Sequence, residues 1–223
     1  MSQSFELIIF DCDGTLITSE VLNNTAVSKA LNHLGFVKYD LDLCLKSFQG
    51  KSFKDICKIV ELSENAQIDK SLFGNLIKRF SIENIPKIEA VPHAKSVLAQ
   101  INLPMAVGSN GHREFVIKYL QQAGLLDFFG EDNIFTHNQH IKPKPYPDMF
   151  LHAAMIHNAE PAKSMVVEDS PTGVLAAKSA GMYAVGFTGA HFEQELAEKS
   201  LKDAGADIVV DDYNDILAII QNN

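Results

Sequence analysis

No apolar run in the sequence approaches the roughly 20 residues needed to span a bilayer, which argues against a membrane protein. The first residues, Met1 to Glu6, have neither the basic stretch nor the cleavage site of a signal peptide. Cysteine is scarce: Cys12, Cys44 and Cys57 are odd in number and lack the paired spacing of a metal site. That usage suits free buried thiols in a reducing compartment, so a cytoplasmic location is expected. Asn23-Asn24-Thr25 matches a glycosylation sequon, read as coincidence in a chain without an export signal. Positive charge is in deficit, with 19 Lys and Arg against 28 Asp and Glu, and the net charge of -9 argues against a nucleic-acid partner. It does not forbid an anionic substrate, because a metal and a few local cations can invert the field within a site. Internal repeats, low-complexity tracts and heptad runs are also missing.

At 223 residues the chain has room for one large domain, or one domain carrying a smaller insert, with an ample core. Several short apolar runs end in small or polar residues: Leu7 to Phe10, Met105 to Gly108, Met165 to Val167, Tyr183 to Phe187 and Asp207 to Val210. Continuous apolar runs of this length suit strands covered on both faces. Helical spacing appears between them at His112 to Ala123, Asp148 to His157, Gly173 to Ala180, Glu193 to Ala204 and Tyr213 to Ile220. The alternation predicts an α/β fold with a doubly wound parallel sheet, a Rossmann-like core. The stretch 17–87 reads differently, as helices over Val21 to Leu34, Leu41 to Phe48, Phe53 to Val60 and Ile68 to Phe80 with no strand between. The expected organisation is therefore a core of residues 1–16 and 88–223 with a helical insert at 17–87, Pro86 and Pro92 bracketing the return.

Four segments carry chemistry, three of them at the ends of predicted strands, where ligands gather in sheets of this kind. Asp11-Cys12-Asp13-Gly14-Thr15-Leu16 offers two carboxylates, one able to attack phosphorus while binding a hard cation, the other able to move a proton. Gly14 permits a sharp turn, and Thr15 is expected to fix the loop by hydrogen bonding. Alone, this segment fits a polar turn equally well. Gly108-Ser109-Asn110-Gly111 supplies a hydroxyl and backbone N–H groups ahead of a helix, a phosphate cradle or simply a helix cap. Lys142-Pro143-Lys144-Pro145 is held extended by its prolines and can aim a lysine inward, although a loop lysine is usually just solvated. Val166-Val167-Glu168-Asp169-Ser170 ends a buried strand in two carboxylates, which helix capping would also explain. Together, oxygen ligands for Mg²⁺ and one lysine meet the electrostatic need of phosphoryl transfer.

These segments, in this order, resemble the four motifs of the haloacid-dehalogenase superfamily of phosphohydrolases. Phe10 to Leu16 is similar to motif one and Ser109-Asn110 to motif two. The pattern Lys-Pro-x-Pro-Asp-x-Phe matches Lys144 to Phe150 in full, whereas Lys142 matches only its first half. Glu168 to Gly173, continuing to Ala180-Gly181-Met182, resembles motif four. The resemblance implies that Asp11 forms an aspartyl-phosphate and that Asp13 protonates the leaving alcohol and then activates water. It implies Mg²⁺ held by Asp11, the Asp13 carbonyl and Asp169, with Glu168 contributing. It also implies that Ser109, the Asn110 amide and Lys144 bind the phosphoryl oxygens. Asp13 favours phosphoryl chemistry over carbon–halogen cleavage, since the superfamily's dehalogenases lack that aspartate. The insert corresponds to the family's helical cap, and Phe48 to Ser52 resembles its specificity loop, with Gln49 or Lys51 able to touch a substrate's remote end; a plain helix-to-helix turn is the other reading.

The expected function is a Mg²⁺-dependent phosphatase of small phosphate monoesters, sugar phosphates or phosphosugar acids. A mutase of the β-phosphoglucomutase type is the alternative, and Gly14-Thr15 looks more like the phosphatases. A non-enzymatic phospho-receiver module is the remote one, being shorter and lacking an insert. The expected partner is a small phosphorylated metabolite, without nucleic acid or membrane, and the chain is expected to be a monomer or weak homo-oligomer. Cys12 lacks the arginine of a cysteine phosphatase, since position 18 is Thr18, and reads as a buried small residue. His137 and His140, three apart, read as loop residues rather than a helical metal pair, and Phe128-Phe129 reads as core.

Overall fold

Leu7-Ile8-Ile9-Phe10 is wholly buried because helices cover both sides of the strand it forms. The structure, a computed structural model, describes residues 4–48, 51–191 and 193–222. Six parallel strands form one sheet: β1 (Leu7–Phe10), β2 (Met105–Ser109), β3 (Ile134–Thr136), β4 (Ser164–Glu168), β5 (Tyr183–Phe187) and β6 (Ile208–Val210). Their order is β3-β2-β1-β4-β5-β6, which puts β1 and its two neighbours in the middle. Helices α5 (Ala94–Leu98), α6 (Arg113–Gln122), α7 (Leu126–Phe129), α8 (Asp148–Ile156), α9 (Pro171–Ser179), α10 (Gln194–Asp203) and α11 (Tyr213–Asn222) connect the strands.

The two-residue alternation of side chains sorts each strand onto two cores. Leu7 and Ile9 pack with Val166 and Ala184 into a cluster that also takes Phe150 of α8, Val174 of α9 and Leu201 of α10. Phe10 points the other way, its ring edge-on to Phe129 of α7 and stacked on Tyr213 of α11. The expected Rossmann-like α/β core is present. Two strands run further than the apolar runs suggest: β2 takes in Ser109 and β4 takes in Glu168, paired with Thr136 and Gly186. Strand β3 is absent from the expectation because three residues leave no periodicity to read.

The chain divides into two compact units, Met1–Thr18 with Glu89–Asn223, and Ser19–Ile88. Among its described residues the second unit has no strand; its α-helices are α1 (Glu20–His33), α2 (Leu41–Phe48), α3 (Phe53–Glu64) and α4 (Lys70–Asn84), joined by turns. Leu31, Tyr39, Phe48, Val60 and Phe73 lie in its own apolar core, and Ser28 there donates to the Tyr39 carbonyl at 2.8 Å. Cys12, Cys44 and Cys57 are all buried free thiols. Among the described residues no helix is long and apolar enough to cross a membrane.

Candidate active site at the strand ends

The backbone N–H of Asp11 donates to the Val167 carbonyl at 2.9 Å, so the first residue after β1 leaves the sheet beside the end of β4. The chain then turns tightly. Leu16 and Ile17 both donate to the Cys12 carbonyl, Gly14 donates to that of Ile17, and the Tyr213 hydroxyl donates to that of Thr15 at 2.8 Å. The Thr15 hydroxyl, expected to fix this loop, is buried with no hydrogen-bond partner among the described residues; main-chain bonds and Tyr213 hold the turn instead. Gly14 has φ +76°, and a Cβ there would lie 2.0 Å from Asp169 Oδ2. Only glycine fits this position, because the turn needs the left-handed conformation and the Asp169 carboxylate fills the space.

Three carboxylates converge at this point. Oxygens of Asp11, Glu168 and Asp169 lie within 4.8 Å of one another. Lys144 reaches into them from the loop before α8: its Nζ is 2.5 Å from Asp11 Oδ1 and pairs with Glu168 Oε1. Lys144 and Asp11 are each 7% exposed and Glu168 is fully buried. Glu168 also accepts from the Ser170 N–H and hydroxyl at 3.0 and 2.8 Å, while Ser170 caps α9 by accepting from the Gly173 N–H. Capping of α9 thus falls to Ser170, and the acidic pair is free for the site. Lys142 is exposed, its ammonium 4.8 Å from the centre of the Tyr146 ring.

Ser109, at the end of β2, is buried, and its hydroxyl accepts from the Gly111 N–H at 3.0 Å. Helix α6 begins after His112 with no side-chain cap, so neither Ser109 nor Asn110 serves it. Asn110 instead clamps the main chain of Lys144, accepting from its N–H at 2.9 Å and donating to its carbonyl at 3.3 Å. Asp13 is half-buried and does not join the carboxylate trio; its Oδ2 lies 4.0 Å from where a Cβ on Gly111 would sit, toward the end of β2. His191 approaches Asp169 from the loop after β5, with Nε2 3.0 Å from its carbonyl oxygen and 3.3 Å from Oδ2. Nothing in the sequence pointed to His191, which lies 22 residues from Asp169 on a turn without a motif.

Burial pushes the Asp11 carboxyl well above the usual range; Lys144 pulls it back while Glu168 and Asp169 add to the rise. Asp169 is raised for the same first reason, with His191 opposing and Glu168 adding. Burial works against the charge on Lys144, but Asp11 and Glu168 outweigh it and hold the ammonium protonated. Three carboxylates sharing one ammonium leave an excess of negative charge in a desolvated place. Clustered oxygen donors of this kind fit a hard divalent cation, whose arrival would favour the ionised forms of Asp11 and Asp169.

Comparison with known proteins supplies the family. The family model for haloacid dehalogenase-like hydrolases matches residues 8–187. The chain belongs to this family. It is 30% identical to the validoxylamine A 7'-phosphate phosphatase of Streptomyces hygroscopicus subsp. limoneus, over 95% of this chain and 96% of that one. It is 29% identical to a 6-phosphogluconate phosphatase of Escherichia coli, over 79% and 80% of the two chains. A haloacid dehalogenase-like protein of unknown function from Agrobacterium tumefaciens superimposes with a TM-score of 0.83 at 29% identity, covering 98% of both chains. With relatives named as phosphatases, this family member is a phosphoric monoester hydrolase, and the phospho-receiver alternative falls away.

The fold therefore brings Asp11, Lys144, Glu168 and Asp169 into direct contact or near it, with Ser109 and Asn110 on the adjacent strand end. Gln49 lies outside the described residues, and Lys51 is exposed in the helical unit. Cys12 is fully buried, its thiol raised well above its usual value by burial first and then by Asp13 and Asp11. His137 and His140 lie in the loop after β3, off any helix.

Proposed function

We propose that this hydrolase is a Mg²⁺-dependent phosphatase of small phosphorylated sugar-like metabolites, working through an aspartyl-phosphate on Asp11. The observation that carries the proposal is the buried Lys144 ammonium bridging Asp11 and Glu168, with Asp169 alongside. A carboxylate nucleophile must be ionised, and here one lysine partly offsets three acids. Asp11, Asp169 and the Asp13 carbonyl would hold Mg²⁺, with Glu168 contributing. When bound, Mg²⁺ neutralises charge on the transferring phosphoryl group and on its carboxylate neighbours.

In the first step a carboxylate oxygen of Asp11 attacks phosphorus, the bond from phosphorus to the ester oxygen breaks, and Asp13 gives its proton to the departing alkoxide. In the second, Asp13, now a carboxylate, takes a proton from water. The resulting hydroxide attacks phosphorus, releases inorganic phosphate and restores Asp11. Lys144, the Ser109 hydroxyl and the Asn110 main-chain amide would bind the phosphoryl oxygens, the recurring positioning task of this chemistry. Asp13 stands outside the carboxylate trio, as a proton carrier should. The helical segment 17–87 would serve as the family's cap.

The relatives' names, a validoxylamine A 7'-phosphate phosphatase and a 6-phosphogluconate phosphatase, support a sugar-like ester as substrate. A panel of phosphosugars, phosphosugar acids, nucleotides and phosphoglycolate, each assayed for Mg²⁺-dependent phosphate release, tests this reading. Fast release from one sugar-phosphate group, lost with EDTA, is expected. Isomerised phosphosugar without release would instead mean a mutase, and neither product from any ester would overturn the proposal.

A further inference from the structure

We propose that His191 is a positioning residue for Asp169, holding that carboxylate toward the metal position. The inference rests on the reading of Asp169 as a metal holder. Lys144 spans Asp11 and Glu168, so Asp169 is the member of the trio that the ammonium does not bridge. It has a wall on one side, where Gly14 leaves room only for Oδ2 itself. His191 supplies the other constraint: its Nε2 lies 3.0 Å from the Asp169 carbonyl oxygen and 3.3 Å from Oδ2, within reach of both main chain and side chain. An N–H at Nε2 is the donor both oxygens require, and either a neutral or a protonated ring can present it.

The imidazole comes from a fixed base. Thr188, just past β5, donates its N–H to the Val210 carbonyl at 2.9 Å, tying the turn to β6, and the His191 N–H donates to the Thr188 carbonyl at 2.9 Å. These bonds are main-chain bonds and survive replacement of the imidazole. The ring therefore aims a donor at Asp169, which fits the general finding that groups behind a metal ligand orient it and shift metal affinity roughly 10–100-fold.

The full chain carries the test. Mg²⁺ or Mn²⁺ binding is measured by calorimetry without substrate for wild type, His191→Ala, His191→Gln and Asp169→Asn, alongside melting temperature, KM for an aryl phosphate and kcat at saturating metal. His191→Ala is expected to weaken metal binding about tenfold or more. The KM should hardly move, and His191→Gln, whose amide can present an N–H, should recover most of the loss. Metal affinity in His191→Ala within about twofold of wild type overturns the assignment. A loss that His191→Gln does not recover overturns it too, because the N–H is then not what matters. Asp169→Asn separates the two levels: undiminished metal binding there defeats the reading of Asp169 itself. Should His191→Ala fail to fold, His191→Gln against wild type still decides, since it must bind metal nearly as well.

Discussion

Replacing Gly173 with alanine should damage both the stability of the protein and its catalysis. A Cβ on Gly173 would lie 1.8 Å from the Glu168 carboxyl carbon and from Oε1. Ordinary van der Waals contact begins near 3.4 Å, so the carboxylate has to retreat by about 1.6 Å. The tip of a flexible glutamate could swing aside cheaply if it were unbonded. This one pairs with Lys144 and accepts two hydrogen bonds from Ser170. Breaking a buried ion pair costs about 3–5 kcal/mol, and hydrogen bonds to a charged group about 1.5–3 kcal/mol each, partly regained by relaxation. A net loss of at least about 3 kcal/mol should lower the melting temperature by roughly 6–12 °C in a chain of this size. Phosphate release should fall with it, because Lys144 loses the partner that aims it. Gly181→Ala is the matched control: its φ is +74° with nothing within 4 Å of the added carbon, so backbone strain of about 1–2 kcal/mol is its whole effect and turnover should persist. A Gly173→Ala protein that melts with the Gly181→Ala protein and turns over normally would refute the reasoning.

The Asn110 clamp should act through Lys144. Lys144→Ala should abolish most turnover, Asn110→Ala should cost about tenfold, and in the Lys144→Ala background Asn110→Ala should change little, a coupling of about 1 kcal/mol or more in a double-mutant cycle of kcat/KM; additive losses would separate the two residues. Stability without metal should depend on pH in a definite direction. Asp11 and Asp169 are raised by burial in the folded state, so their contribution is favourable below the ordinary carboxyl value of 3.8 and is lost as pH climbs through the raised values. Denaturant titrations run upward from pH 3.8 should find Asp169→Asn losing less stability with rising pH than wild type in EDTA. Saturating Mg²⁺ should stabilise wild type by about 2.7 kcal/mol at a hundredfold excess over its dissociation constant, most strongly at the upper end of those titrations.

Much of the core was legible because its strands are buried on both faces. Runs such as Leu7 to Phe10 and Tyr183 to Phe187 leave no polar residue to confuse the reading, and both coincide with β1 and β5. Helix limits differ by a few residues, mostly where capping decides: α9 starts at Pro171 because Ser170 caps it, not at Gly173. Strand β3 was too short to read. At the site, the choice of Lys144 over Lys142 came from a sequence pattern, and burial of Lys144 beside Asp11 gives it a physical basis. Two contacts had no signature because they join distant positions through side chains: Asn110 with the main chain of Lys144, 34 residues on, and His191 with Asp169. The Thr15 hydroxyl shows the converse error, since a residue suited to local hydrogen bonding need not make the bond when main-chain groups and Tyr213 already close the turn.

The proposed mechanism depends on covalent chemistry at Asp11. Wild type mixed with a radiolabelled phosphate ester and Mg²⁺, then quenched in acid during turnover, should retain label on the protein. That label should be labile to hydroxylamine, as an acyl phosphate is, and should map to the peptide carrying Asp11. Asp11→Asn should carry no label and release no phosphate. Full turnover by Asp11→Asn, or rapid turnover by wild type with no label trapped at any quench time, would contradict the central claim.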